Sequence, residues 1–272
     1  MNAILSQDEV SDYERKGYLI IRRPLFPPAK FQRIKELGAE KFANAATGSA
    51  PPTIVDCPHW QDPRLFEWIF APEMLDLVEP LLGPDIGVFA CHLLQKPPAV
   101  GKRVPWHEDS AYWRGVLQPM QVASLTLALE PSLAENGCLR VVPGTHRQGH
   151  SDHVRFSQYV SIDRPEEQVF TKEIKRSEVN EANAVDIVLQ PNEASVHHVK
   201  IIHGSKPNTG QVRRAVFTVR YFPTTSKFAP AGHPAFAGGP FHIYLARGVD
   251  RAGNRFSDPT KVYENNDNLS TA

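Results

Sequence analysis

"HHVKIIHGSKPNTGQVRRAVFTVRYF", residues 197–222, is the stretch on which the reading of this chain turns. It reads as an apolar strand, a turn and a second strand. Period-two alternation in "VKIIH" places Val199, Ile201 and His203 on one face. Gly204 and "KPNTG" supply turn residues, and "RRAVFTVRYF" returns rich in β-branched and aromatic side chains. Arg214 follows His203 by 214 − 203 = 11 positions. A hairpin of that length can bring its guanidinium near the histidine, with Arg213 pointing outward. The planar fork of arginine suits a carboxylate, which it binds with two hydrogen bonds.

Outward from this stretch the chain keeps the same texture. "IGVFACHLLQKPP" (86–98), "SLTLALEPS" (124–132), "GCLRVVPGTH" (137–146) and "NAVDIVLQP" (183–191) are short strand-like runs. The turn pairs Asn136-Gly137 and Pro143-Gly144 bracket one of them. Many short strands with regular punctuation indicate a β-sandwich or barrel. Before residue 85 the pattern is helical. Ser6 precedes Glu9 as in a capping box, and that helix ends near Gly17. "YLIIRR" is a strand. Phe31, Ile34, Leu37 and Phe42 follow two prolines at helical spacing, and "PRLFEWIF" and "APEMLDLVEPLLG" predict two further helices. The expected organisation is one domain over residues 1–272. It comprises an N-terminal helical part (1–84), a β core (about 85–225) and a polar tail (226–272) whose last residues are loose.

The chain carries 30 basic and 30 acidic residues, so no electrostatic drive toward nucleic acid or an acidic membrane is expected. Three cysteines without CxxC spacing suit a reducing compartment. The N-terminus turns acidic too early for a signal peptide, and no apolar run is long enough to cross a bilayer. A cytoplasmic location is expected. The sequence specifies no oligomeric state.

In "PWHEDSAYW", residues 105–113, a strand would point His107 and Asp109 to one face, with Glu108 away. Two histidines and a carboxylate on one side of a metal, with positions left open, is the donor set of non-haem Fe(II) oxygenases. It also serves zinc hydrolases. The plain alternative for His107 is a strand end facing water. A second His-x-Asp pair, His150 and Asp152 in "THRQGHSDHV", reads as surface loop. Loops at 46–64 and 226–240 are candidate lids, or plain connections.

Together, "KPP…G…WHEDSAYW", "NGCLRVVPGTHR" and "HGSKPN…RRA" resemble the phytanoyl-CoA dioxygenase family of Fe(II)- and 2-oxoglutarate-dependent oxygenases, in that family's order. "YERKGYLIIRR" and "LARGVD" are similar to it too. The resemblance implies a mainly β fold with α additions: a double-stranded β-helix (jelly-roll, cupin-like) core with N-terminal helices packed on it. It implies His107, Asp109 and His203 as iron ligands and Arg214 as the anchor of the distal carboxylate of 2-oxoglutarate. Ser124, Thr126 and His92 fall at or beside cosubstrate-contacting positions, while His197 and His198 are packing or supporting residues. O2 would be the oxidant, with succinate and CO2 released. Related halogenases lack the carboxylate, so Asp109 favours hydroxylation. Trp106, Trp113 and Arg114 are the candidate contacts to a small-molecule substrate. A zinc hydrolase, or a non-catalytic jelly-roll binding protein, are the competing readings.

Overall fold

The computed structural model of the chain describes residues 5–46, 53–148, 159–161, 169, 172–230 and 241–264. In chain order its elements are α1 (Gln7–Lys16), β1 (Tyr18–Ile21), α2 (Pro28–Asn44), β2 (Ile54–Asp56), α3 (Phe66–Ile69), α4 (Pro72–Leu82), β3 (Ile86–Lys96), β4 (Val104–His107), β5 (Leu117–Gln118) and β6 (Ala123–Ala128). They continue with β7 (Leu139–Val141), β8 (Tyr159–Ser161), β9 (Lys172–Ile174), β10 (Val185–Ile187), β11 (Ala194–His198), β12 (His203–Ser205), β13 (Arg214–Pro223), β14 (Lys227–Phe228) and β15 (Tyr244–Arg247).

The helices form where the sequence caps them. Ser6 accepts from the Glu9 backbone N–H, the Glu9 side chain accepts from the Ser6 N–H, and Gly17 closes α1 in the left-handed conformation at φ 82°. Proline occupies the first turn of α2 and of α4. In "PRLFEWIF" only Phe66–Ile69 is α-helical. Pro63–Leu65 is a single 3₁₀ turn, started by Asp62, whose side chain accepts from the Arg64 N–H.

Two antiparallel sheets make the core. One has seven strands in the order β1-β11-β6-β13-β3-β15, with β2 also on β3; the other has four, β10-β7-β12-β4. This is a jelly roll, and it draws on more chain than residues 85–225. β1, β2 and β15 all join the larger sheet. Short strands distant in sequence extend an existing edge because backbone pairing needs no particular side chain.

Alternation along β13 explains the layering. Ala215, Phe217, Val219 and Tyr221 pack into the main hydrophobic core with residues of α2, α3 and α4. The Tyr221 hydroxyl donates to the Ile69 carbonyl at 2.7 Å. Arg214, Val216, Thr218 and Arg220, on the opposite face, line a cavity of about 380 Å³ between the sheets. β3 and β6 alternate in step, because β13 pairs with both: Thr218 lies opposite His92 on one side and Thr126 on the other.

The run "HHVKIIHGS" departs from its sequence reading. It is not one strand. β11 ends at His198, the chain turns through 199–202, and β12 begins at His203 in the other sheet. The turn is fixed by the Ile201 N–H donating to the His198 carbonyl (3.0 Å) and the Lys200 N–H donating to His198 Nδ1 (3.1 Å). β12 therefore forms no hairpin with β13. His203 and Arg214 face one another across the cavity from opposite sheets.

Candidate active site

His107 is the last residue of β4, and it lies directly opposite His203 of β12 in the four-stranded sheet. Asp109 comes next on a 3₁₀ turn, Asp109–Ala111, so the strand ends before it. Glu108 between them is extended and buried. One ligand atom each from His107, Asp109 and His203 lies within 4.8 Å of the others. Asp109 Oδ1 is 3.6 Å from His107 Nε2 and 3.7 Å from His203 Nε2.

The tautomers suit a metal. His107 Nδ1–H donates to the Pro105 carbonyl at 2.8 Å and His203 Nδ1–H to the Ile201 carbonyl at 2.9 Å. Each ring is thereby left with its Nε2 lone pair directed at Asp109 Oδ1. Burial holds the His203 imidazole well below its ordinary pKa, helped by His107 beside it, so it is neutral and ready to ligate. Burial alone would raise the Asp109 carboxyl. The Arg220 guanidinium outweighs it, and Asp109 stays ionised.

Arg220 was not among the residues singled out from sequence. Its Nε donates to Asp109 Oδ2 at 3.2 Å, alongside the Ser124 hydroxyl at 3.4 Å. Arg220 Nη2 also reaches Asp109 Oδ1, at 3.5 Å, the oxygen that faces His107 and His203. The sequence signal was weak but present, since Arg220 shares the period-two face of β13 with Arg214.

Arg214 is buried at the far end of that face. Its Nε donates to Ser132 Oγ (3.0 Å) and its Nη1 to the Gly137 carbonyl (2.9 Å). No carboxylate among the described residues pairs with it. Burial pulls its pKa down to about 10. Arg213 points the other way, to Glu130 at 3.1 Å. Lys96 lies opposite Arg214 in the sheet, fully buried, and its Nζ donates to Ser205 Oγ at 2.6 Å. Ser205 also lines the cavity. The Asn136-Gly137 turn proves to be part of this corner. Gly137 sits at φ +77°, and a Cβ there would lie 2.3 Å from the Lys206 carbonyl and 3.1 Å from Lys96 Nζ.

The remaining sequence candidates divide. His92, Thr126 and Trp113 line the cavity. Ser124 is buried against Asp109 and does not line it. Trp106 is packed with Val142, Ile174, Val179 and Ile202, donating to Glu181 at 3.0 Å, and Arg114 is likewise not a cavity residue. Trp106 is on the face of β4 opposite to His107, and Arg114 lies beyond the strand's early end. Alternation stops at His107, and the 3₁₀ turn re-aims the residues after it. His198 ends β11 beside Tyr13 and His146. His150 and Asp152 fall outside the described residues. So do 47–52 and 231–240 of the two candidate lids, while Thr53, Ile54, Asp56 and Cys57 form a cavity wall through β2 on β3.

His197 is more than packing. It is buried, lines the cavity, and among the described residues neither ring nitrogen has a hydrogen-bond partner; Asp109 Oδ2 is 3.7 Å away. An orphaned buried polar group costs roughly 1–3 kcal/mol. His197→Phe is therefore expected to stabilise the metal-free protein by about 1 kcal/mol. A urea midpoint lower than that of the parent would contradict this.

The model of the family described as phytanoyl-CoA dioxygenase (PhyH) matches residues 13–216. The chain belongs to this family. The human "Phytanoyl-CoA dioxygenase, peroxisomal" is 30% identical over 237 residues, covering 79% of this chain and 68% of the human protein. The L-proline trans-4-hydroxylase of Streptomyces griseoviridis is 27% identical over 241 residues, 82% of this chain and 89% of that enzyme. In fold, the apo form of the non-heme monooxygenase ThoJ superposes with a TM-score of 0.71 at 23% identity, covering 92% of this chain and 88% of that one. EctD from S. alaskensis, solved with 2-oxoglutarate and 5-hydroxyectoine, gives a TM-score of 0.67 at 18% identity, covering 84% and 80%. As a member of this dioxygenase family the chain is a non-haem oxygenase, and its cofactors are Fe(II) and 2-oxoglutarate, with O2. Among the described residues no helix is long and apolar enough to cross a membrane.

Proposed function

We propose that this oxygenase hydroxylates an unactivated C–H bond of a small-molecule metabolite, with residues 1–272 acting as one catalytic domain. The observation that carries the reading is Arg214. A buried guanidinium without a carboxylate partner shares one cavity with a His107/Asp109/His203 cluster whose tautomers are set for a metal. A zinc hydrolase would leave that cation unused. A binding scaffold would need neither.

In this reading Fe(II) is held by His107 Nε2, Asp109 Oδ1 and His203 Nε2. When bound, Fe(II) with 2-oxoglutarate and O2 supplies C–H oxidation coupled to formation of succinate and CO2. Arg214 and the Ser205 hydroxyl hold the distal carboxylate of 2-oxoglutarate, and Thr126 and His92 flank its path. Arg220 and Ser124 keep Asp109 ionised and oriented. The aromatic rings of Trp113, Phe89 and Phe241 exclude water from one side of the cavity. Asp109 supplies the carboxylate that halogenases lack, which favours hydroxylation. Neither nucleic acid nor a membrane is a proposed partner. The three cysteines are buried thiols, in keeping with a cytoplasmic location.

Anaerobic titration of metal-free protein with Fe(II) and 2-oxoglutarate tests this. A visible charge-transfer band of the chelate, weakened in His203→Ala, is expected. A folded, metal-free protein that gives no band would refute the proposal.

Lys96 adds a pH signature. Burial pulls its pKa down to about 6, with Arg214 contributing. Between that value and the ordinary lysine pKa of about 10.4 the unfolded chain holds a proton that the native one lacks. The stability of the metal-free protein should therefore rise with pH across that window. Lys96→Met should flatten the rise, as read from urea midpoints at two pH values inside it. An unchanged slope would show that Lys96 is charged throughout.

A further inference from the structure

One wall of the cavity holds Arg220, a cation that in the proposed function neither ligates the metal nor holds the distal carboxylate of 2-oxoglutarate. Arg220 Nη1 contacts His92 Nδ1, and His92 Nε2 contacts Asp56. A guanidinium only donates, so His92 Nδ1 accepts and its Nε2 carries the proton, beside Asp56. Asp56, His92, Arg220 and Asp109 thus form one chain of polar contacts that fixes the Arg220 plane. Trp113 braces it from the side, its ring 5.0 Å from the Arg220 Cζ.

Of the five N–H groups of Arg220, Nε and one on Nη2 are directed at Asp109, and one on Nη1 at His92. Among the described residues, one on each Nη remains for a ligand. Beside them Trp113 packs edge-on to Phe89 at 4.7 Å, and Phe89 stacks on Phe241 at 5.0 Å. The charge count has the same sense. Lys102, Arg214 and Arg220 line the cavity against Asp56 and Asp109. Fe(II) and the 2-oxoglutarate dianion add no net charge, which leaves an excess of one cation.

We propose that the primary substrate is a carboxylate on an apolar, ring-sized body, its carboxylate taken by Arg220 and its body laid against Trp113, Phe89 and Phe241. This rests on the oxygenase reading and names the substrate class for it. The sequence had offered Trp113 with Arg114 for this role. The fold keeps the tryptophan and supplies the arginine from β13.

The test is calorimetric titration of the anaerobic Fe(II) enzyme, with 2-oxoglutarate saturating so that Arg214 is taken. The probes are 3-phenylpropanoate, indole-3-propanoate and cyclohexanecarboxylate, each against its primary amide. At least one acid is expected to bind about 10-fold or more tightly than its amide, the effect of charge-assisted hydrogen bonds to a fixed fork. Arg220→Gln should weaken that acid about 10-fold and leave the amide within about 2-fold. If no acid outbinds its amide, the proposal is wrong. It is equally wrong if Arg220→Gln weakens acid and amide alike, because Arg220 would then act only through Asp109. Should the variant fail to hold iron, the wild-type comparison of acid with amide decides alone. Failure of the oxygenase reading shows separately, as absence of the Fe(II)–2-oxoglutarate band in wild-type protein.

Discussion

Arg214→Met is expected to raise the Kd and KM for 2-oxoglutarate by about 100-fold. Each charge-assisted hydrogen bond from a buried guanidinium contributes roughly 1.5–3 kcal/mol, and loss of a two-bond fork removes about 3 kcal/mol or more. The same substitution should not destabilise the metal-free protein. Among the described residues Arg214 has only neutral acceptors, Ser132 Oγ and the Gly137 carbonyl, and burial without a counter-charge is costly enough to pull its pKa to about 10. A methionine of similar length removes that cost. Urea denaturation and equilibrium binding on one sample separate the two effects. A large fall in stability with unchanged 2-oxoglutarate affinity would make Arg214 a structural residue and remove the central support of the proposed function.

Asp109→Asn is the opposite case, and should fail on both counts. The shape is kept, but Arg220 loses its counter-charge in a site where the Asp109 side chain is 5% exposed and that of Arg220 13%. Removing one partner of a buried ion pair costs about 3–5 kcal/mol. Fe(II) affinity should fall by more than the roughly 10–100-fold that loss of an outer partner costs, because a ligand itself is lost. The acid limb should change as well. Asp109 titrates well below its ordinary value in the folded protein, so its contribution is full above the unfolded carboxyl pKa and is lost as pH falls toward the folded one. Asp109→Asn should therefore flatten the loss of metal-free stability below about pH 4. Equal acid sensitivity of parent and variant would show that Arg220 does not hold the carboxylate ionised.

The residues proposed to carry the chemistry were legible because each sits in a local pattern. His107-Glu108-Asp109, His203-Gly204-Ser205 and Arg214 eleven positions later are short spacings, and alternation tells which members share a face. The capping box at Ser6 and Glu9, the prolines opening α2 and α4, and the turn glycines are equally local, and they fix where elements start and stop.

What the sequence left undetermined is what depends on the pairing of distant strands. Arg220 meets Asp109, 111 residues away, only because β13 lies between β3 and β6. Lys96 meets Ser205 across 109 residues by the register that sets Arg214 beside Lys96. Trp106 and Arg114 were expected at the substrate, yet Trp106 alternates to the face of β4 away from His107, and the strand's end at His107 turns Arg114 elsewhere. His203 and Arg214 were expected to meet through a hairpin and instead face each other from two sheets, because the chain leaves β11 at Val199. By itself, then, the sequence determined local patterns: the helix caps, the turns, the alternation of β13 and a candidate donor set for the proposed metal. Tertiary structure alone decided which side chain from another strand stands beside each donor, because sheet register is set by the packing of the whole core and not by the residues that it brings together.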